Sequence, residues 1–509
     1  MSRYYIGFDC GTQSTKTAIY DQNMKCVAEE QIPTIINYPK AGWAEMDADH
    51  YLQSVRDGIK SCVQKSGIDP KEIRAICGDG IICGVVGVNE DGWAITPYIP
   101  YLDIRGAEDA QWINENLEPL WITESGNSTV DPYMPPVYIR WLLKNHEAFK
   151  TQGKKVVNNG PYVLNRLCGH KAKDFFIDYA TLSGWLVGYK AIEKEWSKAQ
   201  MDSLGIPMEI LPKIVAPSDV VGHLCAEEAA KIGIPAGIPI VAGAGDTMQS
   251  NVGVGLTDVG MAADVAGTAA MITIVVDGIN PEITKNTNLL FSIGTMPNTY
   301  FYWGHVRTGG LSLRWYRDNI CGHEGDNTYY DVLQEAAEKV PAGANGTLFV
   351  PYLQGGTGLL ENASGCFLNM TTNTNQGEQW RAVLESIAFE YLALVDALRA
   401  NGNDITRLTI TEGGSKSRLW NQIKADCLNT SAITLNQAAG AVMSNAALAA
   451  YGVGDVSDLR DLVNGWVAVK DTYTPNAEST AAYRKVFTVQ QKLLKETMPA
   501  SFALLKSLK

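Results

Sequence analysis

Tyr4-Tyr5-Ile6-Gly7-Phe8-Asp9-Cys10-Gly11-Thr12-Gln13-Ser14-Thr15-Lys16-Thr17-Ala18-Ile19-Tyr20 is an apolar run, Tyr4 to Phe8, a polar glycine-containing turn, Asp9 to Ser14, and a second run, Thr15 to Tyr20. Two β-prone runs about such a turn read as strand, tight loop, strand. An acid at a strand end, a glycine free to turn tightly and two hydroxyls with their backbone N–H groups can wrap a phosphate tail while the carboxylate holds a cation through water. The same residues also suit an ordinary hairpin turn with capping hydroxyls. Lys16 is either a phosphate-neutralising cation or a solvated strand lysine.

Working outward, the period changes. Leu52, Val55, Ile59 and Cys62 recur at helical spacing, with Asp47 or Asp49 placed as N-cap. Strands are expected at Ile73 to Cys77 and Ile238 to Ala242, and helices at Val137 to Phe149 and Glu378 to Ala400, the latter stopped by Gly402. Strands mixed with helices throughout define an α/β chain. The opening loop has an echo half a chain later, where Asp264-Val265-Ala266-Gly267-Thr268 precedes the run Ala269 to Val276. A repeat on that scale suggests two related domains facing each other.

Composition narrows the function. A chain of 509 residues, 46% hydrophobic and 19% charged, exceeds one compact domain. A formal charge of -13 disfavours sequence-independent binding to nucleic acid or an anionic membrane, since both need a Lys/Arg excess, so the expected partner is a small molecule. The ten cysteines form no CxxC pair and read as free thiols of a reducing cytoplasm. The six histidines lack HxH or HxxxH spacing, so no protein-held Zn²⁺ is expected. No basic and apolar leader precedes Tyr4, and the longest apolar run, Val265 to Val276, is too short to span a bilayer, so a soluble protein is expected.

Two familiar nucleotide motifs fail. A Walker A loop needs a second glycine before Lys16-Thr17, and a dinucleotide-binding loop needs a glycine where Met248 follows Gly243-Ala244-Gly245. That second segment nevertheless puts one acid, Asp246, between a buried strand and the helix-like Met248 to Val254, where it is either a helix N-cap or a general base at a cleft. Thr411-Glu412-Gly413-Gly414-Ser415-Lys416-Ser417 makes a further strand, glycine loop, helix junction, and Gly309-Gly310 has the same character. Glycines there let backbone approach a flat ligand such as adenine.

In this order the residues resemble the FGGY family of carbohydrate kinases, which includes xylulokinases, ribulokinases and glycerol kinases. The resemblance runs from about Tyr4 to about Gly454. It implies an α/β fold of two actin-like (RNase H-like) ATPase domains, residues 1–252 on the sugar side and 253–509 on the nucleotide side, with the active site in the cleft between them. It further implies ATP and Mg²⁺ as cofactors, with Asp9 holding the metal and Gly11, Thr12, Gln13, Ser14 and Lys16 the phosphates. Gly267 and Thr268 then meet the same phosphates from the other domain. Gly309, Gly310, Gly413, Gly414 and Ser417 flank the nucleotide, and Asp246 is the general base.

Several segments depart from the family pattern. Tyr138 stands for a Lys after Tyr133-Met134-Pro135, Asn369 for a Gly in Gly365 to Met370, Gln379 for an aliphatic residue, and Ser444-Asn445-Ala446-Ala447 for L-G-A-A. Gly80-Ile81-Ile82-Cys83-Gly84 aligns with the G-Q-M-H-G of xylulokinases, so Ile82 and Cys83 replace Met and His. Asp131-Pro132-Tyr133 resembles the D-P-Y of glycerol kinases, and Tyr101 to Arg105 the W-x-D-x-R of xylulokinase-like members, so Asp103 and Tyr133 join Ile82, Cys83 and Asp246 as substrate-side candidates. Gly42-Trp43-Ala44-Glu45-Met46-Asp47 resembles a G-W-x-E-x-D segment and is read as structural. The expected function is a cytoplasmic, ATP-dependent kinase for a small ketose or short polyol, with a homodimer compatible with that reading. The rivals are a nucleotide-switched clamp like actin or the chaperone ATPases, and a sugar sensor without catalysis.

Overall fold

The computed structural model of the protein describes residues 2–116, 120–356 and 360–508. The opening stretch forms β1 (Tyr4–Cys10) and β2 (Ser14–Asp21), paired antiparallel with Asp9 opposite Lys16. Only Gly11 to Gln13 remain as loop, tighter than the turn expected from sequence. After β3 (Cys26–Pro33) comes α1 (Ala48–Ser66), capped by Asp47, whose side chain accepts from Asp49 N, and closed by Gly67 at φ +66. Its buried face includes Leu52, Val55, Ile59 and Cys62, the residues whose spacing predicted it.

The chain then returns through β4 (Ile73–Gly80), α2 (Asn159–Cys168), β5 (Val220–His223), β6 (Pro239–Val241) and α3 (Asp246–Gly253). These strands make a six-stranded sheet in the order β5-β6-β4-β1-β2-β3, with β4 parallel to both β1 and β6. β4 and β1 lie at its centre, so their C-terminal ends open side by side at one edge, the usual place for a ligand in such sheets. The expected helix Val137 to Phe149 is broken: one helix runs Pro135–Asn145, and His146 then caps a second, Glu147–Gln152, by accepting from Phe149 N through Nδ1 at 3.2 Å.

The second half repeats the plan with β7 (Met261–Ala266), β8 (Ala270–Val276), β9 (Leu290–Ile293), β10 (Tyr300–Val306), α4 (Gly309–Trp315), α5 (Gln376–Arg399), β11 (Arg407–Thr411), α6 (Arg418–Leu428), β12 (Ala432–Leu435), α7 (Ala441–Gly452) and β13 (Val469–Tyr473). Its seven-stranded sheet has the order β9-β10-β8-β7-β11-β12-β13, with β7 antiparallel to β8 and parallel to β11 as β1 is to β2 and β4. The echo between the two loops is therefore a real structural repeat, but its acids differ. Asp264 lies within β7, fully buried, where it pairs with Lys424 and accepts from Tyr391 Oη at 2.6 Å. It holds the second core together and has no exposure to a cleft.

The halves meet along α7. Its backbone at Val442 approaches so closely that Gly7 on β1 has no room for a Cβ. One turn on, Asn445 donates to Phe8 O at 2.9 Å and accepts from Gln249 Nε2 at 2.6 Å, tying α7 to β1 and α3. A second contact between the halves is made by Asn127 and Ser183, which satisfy the backbone of edge strand β9 at Phe291 and Ile293. An unpaired edge inside the protein would otherwise leave buried donors and acceptors without partners.

Candidate active site

Three carboxylates converge where β1, β4 and α3 meet. Asp9 and Asp79 are register partners on parallel strands, which lie about 4.8 Å apart and send in-register side chains to one face. Gly245 bridges to Gly80, so the first residue of α3, Asp246, comes in beside them. The turn before it depends on Gly243, whose φ of +77 and approach to Gly78 O exclude a side chain. The N-cap of α3 is Gly245 rather than Asp246.

Asp246 is only partly occupied by its surroundings. Its Oδ1 accepts from Thr247 N at 2.6 Å, Thr247 Oγ1 at 3.2 Å and Ile82 N at 3.3 Å, and Oδ2 has no donor among the described residues. Burial, then the negative charge of Asp9, pushes its carboxyl up to about 6, against the opposing pull of those hydrogen bonds. Asp9 is also raised by burial, with Asp79 and Lys16 opposing. Lys16 is exposed, on the same face as Asp9, with no hydrogen bond or ion pair among the described residues. Ser14 is buried and accepts from Gln31 Nε2 at 2.8 Å, while Gly11 N donates to Ser14 O at 3.1 Å and closes the loop.

Asp79 escaped the sequence reading. It is fully buried, and burial followed by repulsion from Asp9 and Asp246 holds it well above the ordinary carboxylate range, so it is the protonated partner in a hydrogen bond to Asp9, with Asn445 opposing the shift. Its signal was available in Gly78-Asp79-Gly80, an acid at a strand end flanked by residues without side chains. Among the described residues, no group of three or more His, Cys, Asp and Glu could hold a metal ion unaided.

From the other half, three glycine loops pack on one another at the end of β7. Gly310 N donates to Gly267 O at 2.9 Å and Leu311 N to Thr268 O at 2.9 Å. A Cβ on Gly309 would strike Ala270, one on Gly310 would strike Gly267 O, and one on Gly414 would strike Ala266 and Trp420. Thr268 is exposed, Thr12 half-buried, and Gly413 has open space around it. Glu412, which precedes that last loop, holds φ +60, costly for a residue with a side chain and typical of functional turns. Ser417 is otherwise engaged: its hydroxyl caps α6 through Trp420 N and donates to Gln334 Oε1 at 3.0 Å.

The remaining candidates form the wall beside Asp246. Ile82 packs against Gly245, and its carbonyl accepts from Asn158 Nδ2 at 2.8 Å, while Tyr98 Oη holds Cys83 O at 2.7 Å. The Cys83 thiol, raised by burial and then by the charges of Asp246 and Asp131, stays neutral. Tyr133 donates to Asp131 Oδ2 at 2.8 Å. Asp103 corrects its expected role: fully buried, it accepts from Ala44 N at 2.6 Å and from Arg105 Nε and Nη2 at 2.9 and 2.8 Å. It clamps Arg105 beneath Trp43, 3.7 Å from the ring centroid, and presents no oxygen to a ligand. Trp43 also packs edge-on against Trp141, with ring centroids 5.2 Å apart.

The chain matches the description "FGGY family of carbohydrate kinases" twice, as N-terminal domain over residues 4–253 and as C-terminal domain over residues 265–453. It is 26% identical to a gluconokinase of Bacillus licheniformis over 96% of this chain and 94% of that one. It is likewise 26% identical to a xylulose kinase of Bacillus subtilis, over 99% of each. The crystal structure of a xylulose kinase from Rhodospirillum rubrum superposes with a TM-score of 0.89 at 24% identity, covering 98% of this chain and 100% of that one. With both halves matched in order and the two-sheet architecture shared, the chain belongs to the FGGY family of carbohydrate kinases.

Proposed function

We propose that this ATP-dependent carbohydrate kinase phosphorylates a hydroxyl of a small ketose or short polyol, with Asp246 as general base. The observation that carries the reading is the Asp246 carboxylate, fixed through Oδ1 by three donors, Ile82 N among them, while Oδ2 has no donor among the described residues. A pKa near 6 leaves it ionised at neutral pH yet basic enough to take a proton. In the reaction the substrate hydroxyl gives its proton to Oδ2 as its oxygen bonds the γ-phosphorus, and the β–γ bridging oxygen leaves with ADP. Gly11 to Ser14 and Lys16 from one domain, and Gly267, Thr268, Gly309 and Gly310 from the other, line the phosphates; Gly11, Gly267 and Gly310 spend their N–H groups inside the loops and let the backbone close in, while Thr12, Gln13, Thr268 and Gly309 supply N–H groups and Lys16 charge. Gly413 and Gly414 border the nucleoside. The residues fit Mg²⁺: Asp9 has a buried oxygen, Oδ1, without a donor, and with phosphate oxygens and waters it makes the mixed shell this ion takes. When bound, the ion neutralises phosphate charge. We place the division between the domains at residues 252 and 253 and the protein in the cytoplasm; among the described residues no helix is long and apolar enough to cross a membrane.

One observation favours a second acceptor class. Arg307, at the end of β10, is exposed and has no hydrogen bond or ion pair among the described residues, yet its charge is felt by Tyr133 and His305. A guanidinium beside Tyr133 would take a carboxylate, which suits an aldonic acid, and a gluconokinase is among the relatives. Coupled ADP release on pentuloses, hexuloses, tetritols, pentitols, glycerol and aldonates distinguishes the classes. A ketose or polyol as best acceptor supports the first reading. An aldonate as best acceptor, with KM raised at least tenfold in Arg307→Gln, replaces it by the second. No acceptor-dependent ADP release refutes both and favours the nucleotide-switched clamp or the sensor.

A further inference from the structure

Each of the three carboxylates stands on a different element: Asp9 on β1, Asp79 on β4 and Asp246 on α3. One side chain reaches all three elements, and it comes from the second half of the chain. The Asn445 amide of α7 donates at 2.9 Å to Phe8 O, the carbonyl just before Asp9, and it opposes the upward shift of Asp79. Its Oδ1 accepts from Gln249 Nε2 at 2.6 Å and from the Cys77 thiol of β4 at 3.7 Å. Gln249 in turn belongs to the turn that begins with Asp246: its backbone N donates to Gly245 O at 3.0 Å and closes the first turn of α3. At the far end of α3 a Cβ on Gly253 would strike Ala439 O, so the segment around α7 grips this helix at both its turns. Both amides are completely buried, and Gln249 Oε1 has no donor among the described residues. An apolar side chain of the same size would fill that space without leaving a buried acceptor alone. Packing by itself does not account for the pair.

We propose that Asn445, paired with Gln249, is a positioning residue for phosphoryl transfer: it registers the base on α3 against the end of β1 and ties both to the half of the chain that carries Gly267 and Gly310. The inference rests on the reading of Asp246 as the base. Asn445 touches no reacting atom and acts only through Phe8 O and Gln249. A planar amide suits the task, because it donates and accepts at once from one rigid group and so fixes the span between its two partners. The L-G-A-A pattern has Gly at this place, which has no side chain to make either bond. Without the pair, the first turn of α3 is free to shift against β1, and a displacement of about 1 Å at a reacting group costs on the order of a hundredfold in rate.

The test measures kcat, acceptor KM, ATP affinity and melting temperature on the full chain for Asn445→Ala, Gln249→Met and the double variant, with the best acceptor of the panel and well below each melting temperature. Gln249→Met keeps length and volume and leaves Asn445 its bond to Phe8 O, so it decides alone if Asn445→Ala does not fold. The expected result is kcat lowered about ten- to hundredfold in each single variant, with acceptor KM and ATP affinity within about twofold of the parent. The double variant falls no further than the worse single one, because the two amides act as one unit. A kcat within about twofold of the parent in either single variant, whatever its melting temperature, overturns the proposal and leaves the amides as packing. Losses that multiply in the double variant overturn it by showing that the amides act separately. ATP affinity that falls in step with kcat overturns it by placing the effect at the nucleotide. Asp246→Asn keeps the two claims apart. Unchanged turnover there means that the base assignment has failed, whereas lost turnover there with kcat intact in Asn445→Ala and Gln249→Met fails the positioning claim alone.

Discussion

Replacing Asp246 by Asn separates chemistry from architecture at one atom. The amide keeps the size of the side chain and an oxygen for Thr247 N, Thr247 Oγ1 and Ile82 N, so the turn into α3 survives. It cannot accept a proton from a hydroxyl, so turnover should fall by roughly 10² to 10⁴-fold, the usual contribution of a positioned base. Stability should move the other way. Burial and Asp9 raise the folded pKa from 3.8 to about 6, so between those values the folded state binds more protons than the unfolded one. The stability attached to this group is therefore complete below the unfolded value and lost as pH rises through about 6. Some two pH units correspond to at most about 3 kcal/mol, which Asn recovers at pH 8 by removing the charge. The assay pairs turnover on the best acceptor with denaturant unfolding of both proteins at pH 5 and pH 8. Unchanged turnover removes Asp246 from the mechanism, and an Asn variant less stable than the parent at pH 8 refutes the electrostatic account of the site.

Further outcomes follow from the same geometry. In the parent enzyme kcat/KM should rise with pH through about 6 and then level, as Asp246 ionises, and the rise should be absent in Asp246→Asn; a profile flat from pH 5 to 8 contradicts it. Gly310→Ala forces a Cβ against Gly267 O and should weaken ATP binding, measured by calorimetry, about tenfold or more while leaving acceptor binding intact. Lys424→Met leaves Asp264 buried without its cation and should cost about 3 to 5 kcal/mol in denaturant unfolding, much of it restored by adding Asp264→Asn. With Ile82 and Cys83 in place of Met and His, D-xylulose should be a poor acceptor that Cys83→His improves, and D-xylulose as best of a broad panel contradicts this reading of the wall.

The sequence made the first hairpin and α1 legible because their signals are local: apolar periodicity, a turn between two β-prone runs and an Asp cap. The pairing of Asp9 with Asp79 was not legible, since seventy residues separate them and only the parallel register of β1 and β4 brings them together. Asp103 misled for a related reason: it is an acid in a suggestive motif, and only its burial reveals that Arg105 already holds it. The glycine loops were legible one by one. Their convergence at the end of β7 depends on three close backbone approaches that no spacing rule encodes. Asn445, read as a loss of glycine, proves to be the amide that ties α7 to β1 and α3, so at this position the departure from the family pattern joins the two halves of the molecule.

The central claim is acceptor-dependent phosphoryl transfer at Asp246, and the most direct measurement is coupled ADP release by the parent and Asp246→Asn enzymes across the acceptor panel, with ATP binding followed in the same samples. The account predicts one acceptor that raises ADP release far above the basal rate in the parent, and loses at least about a hundredfold of that stimulation in the variant while ATP binds both alike. Equal stimulation in the two proteins, or ADP release that no acceptor increases, would contradict it.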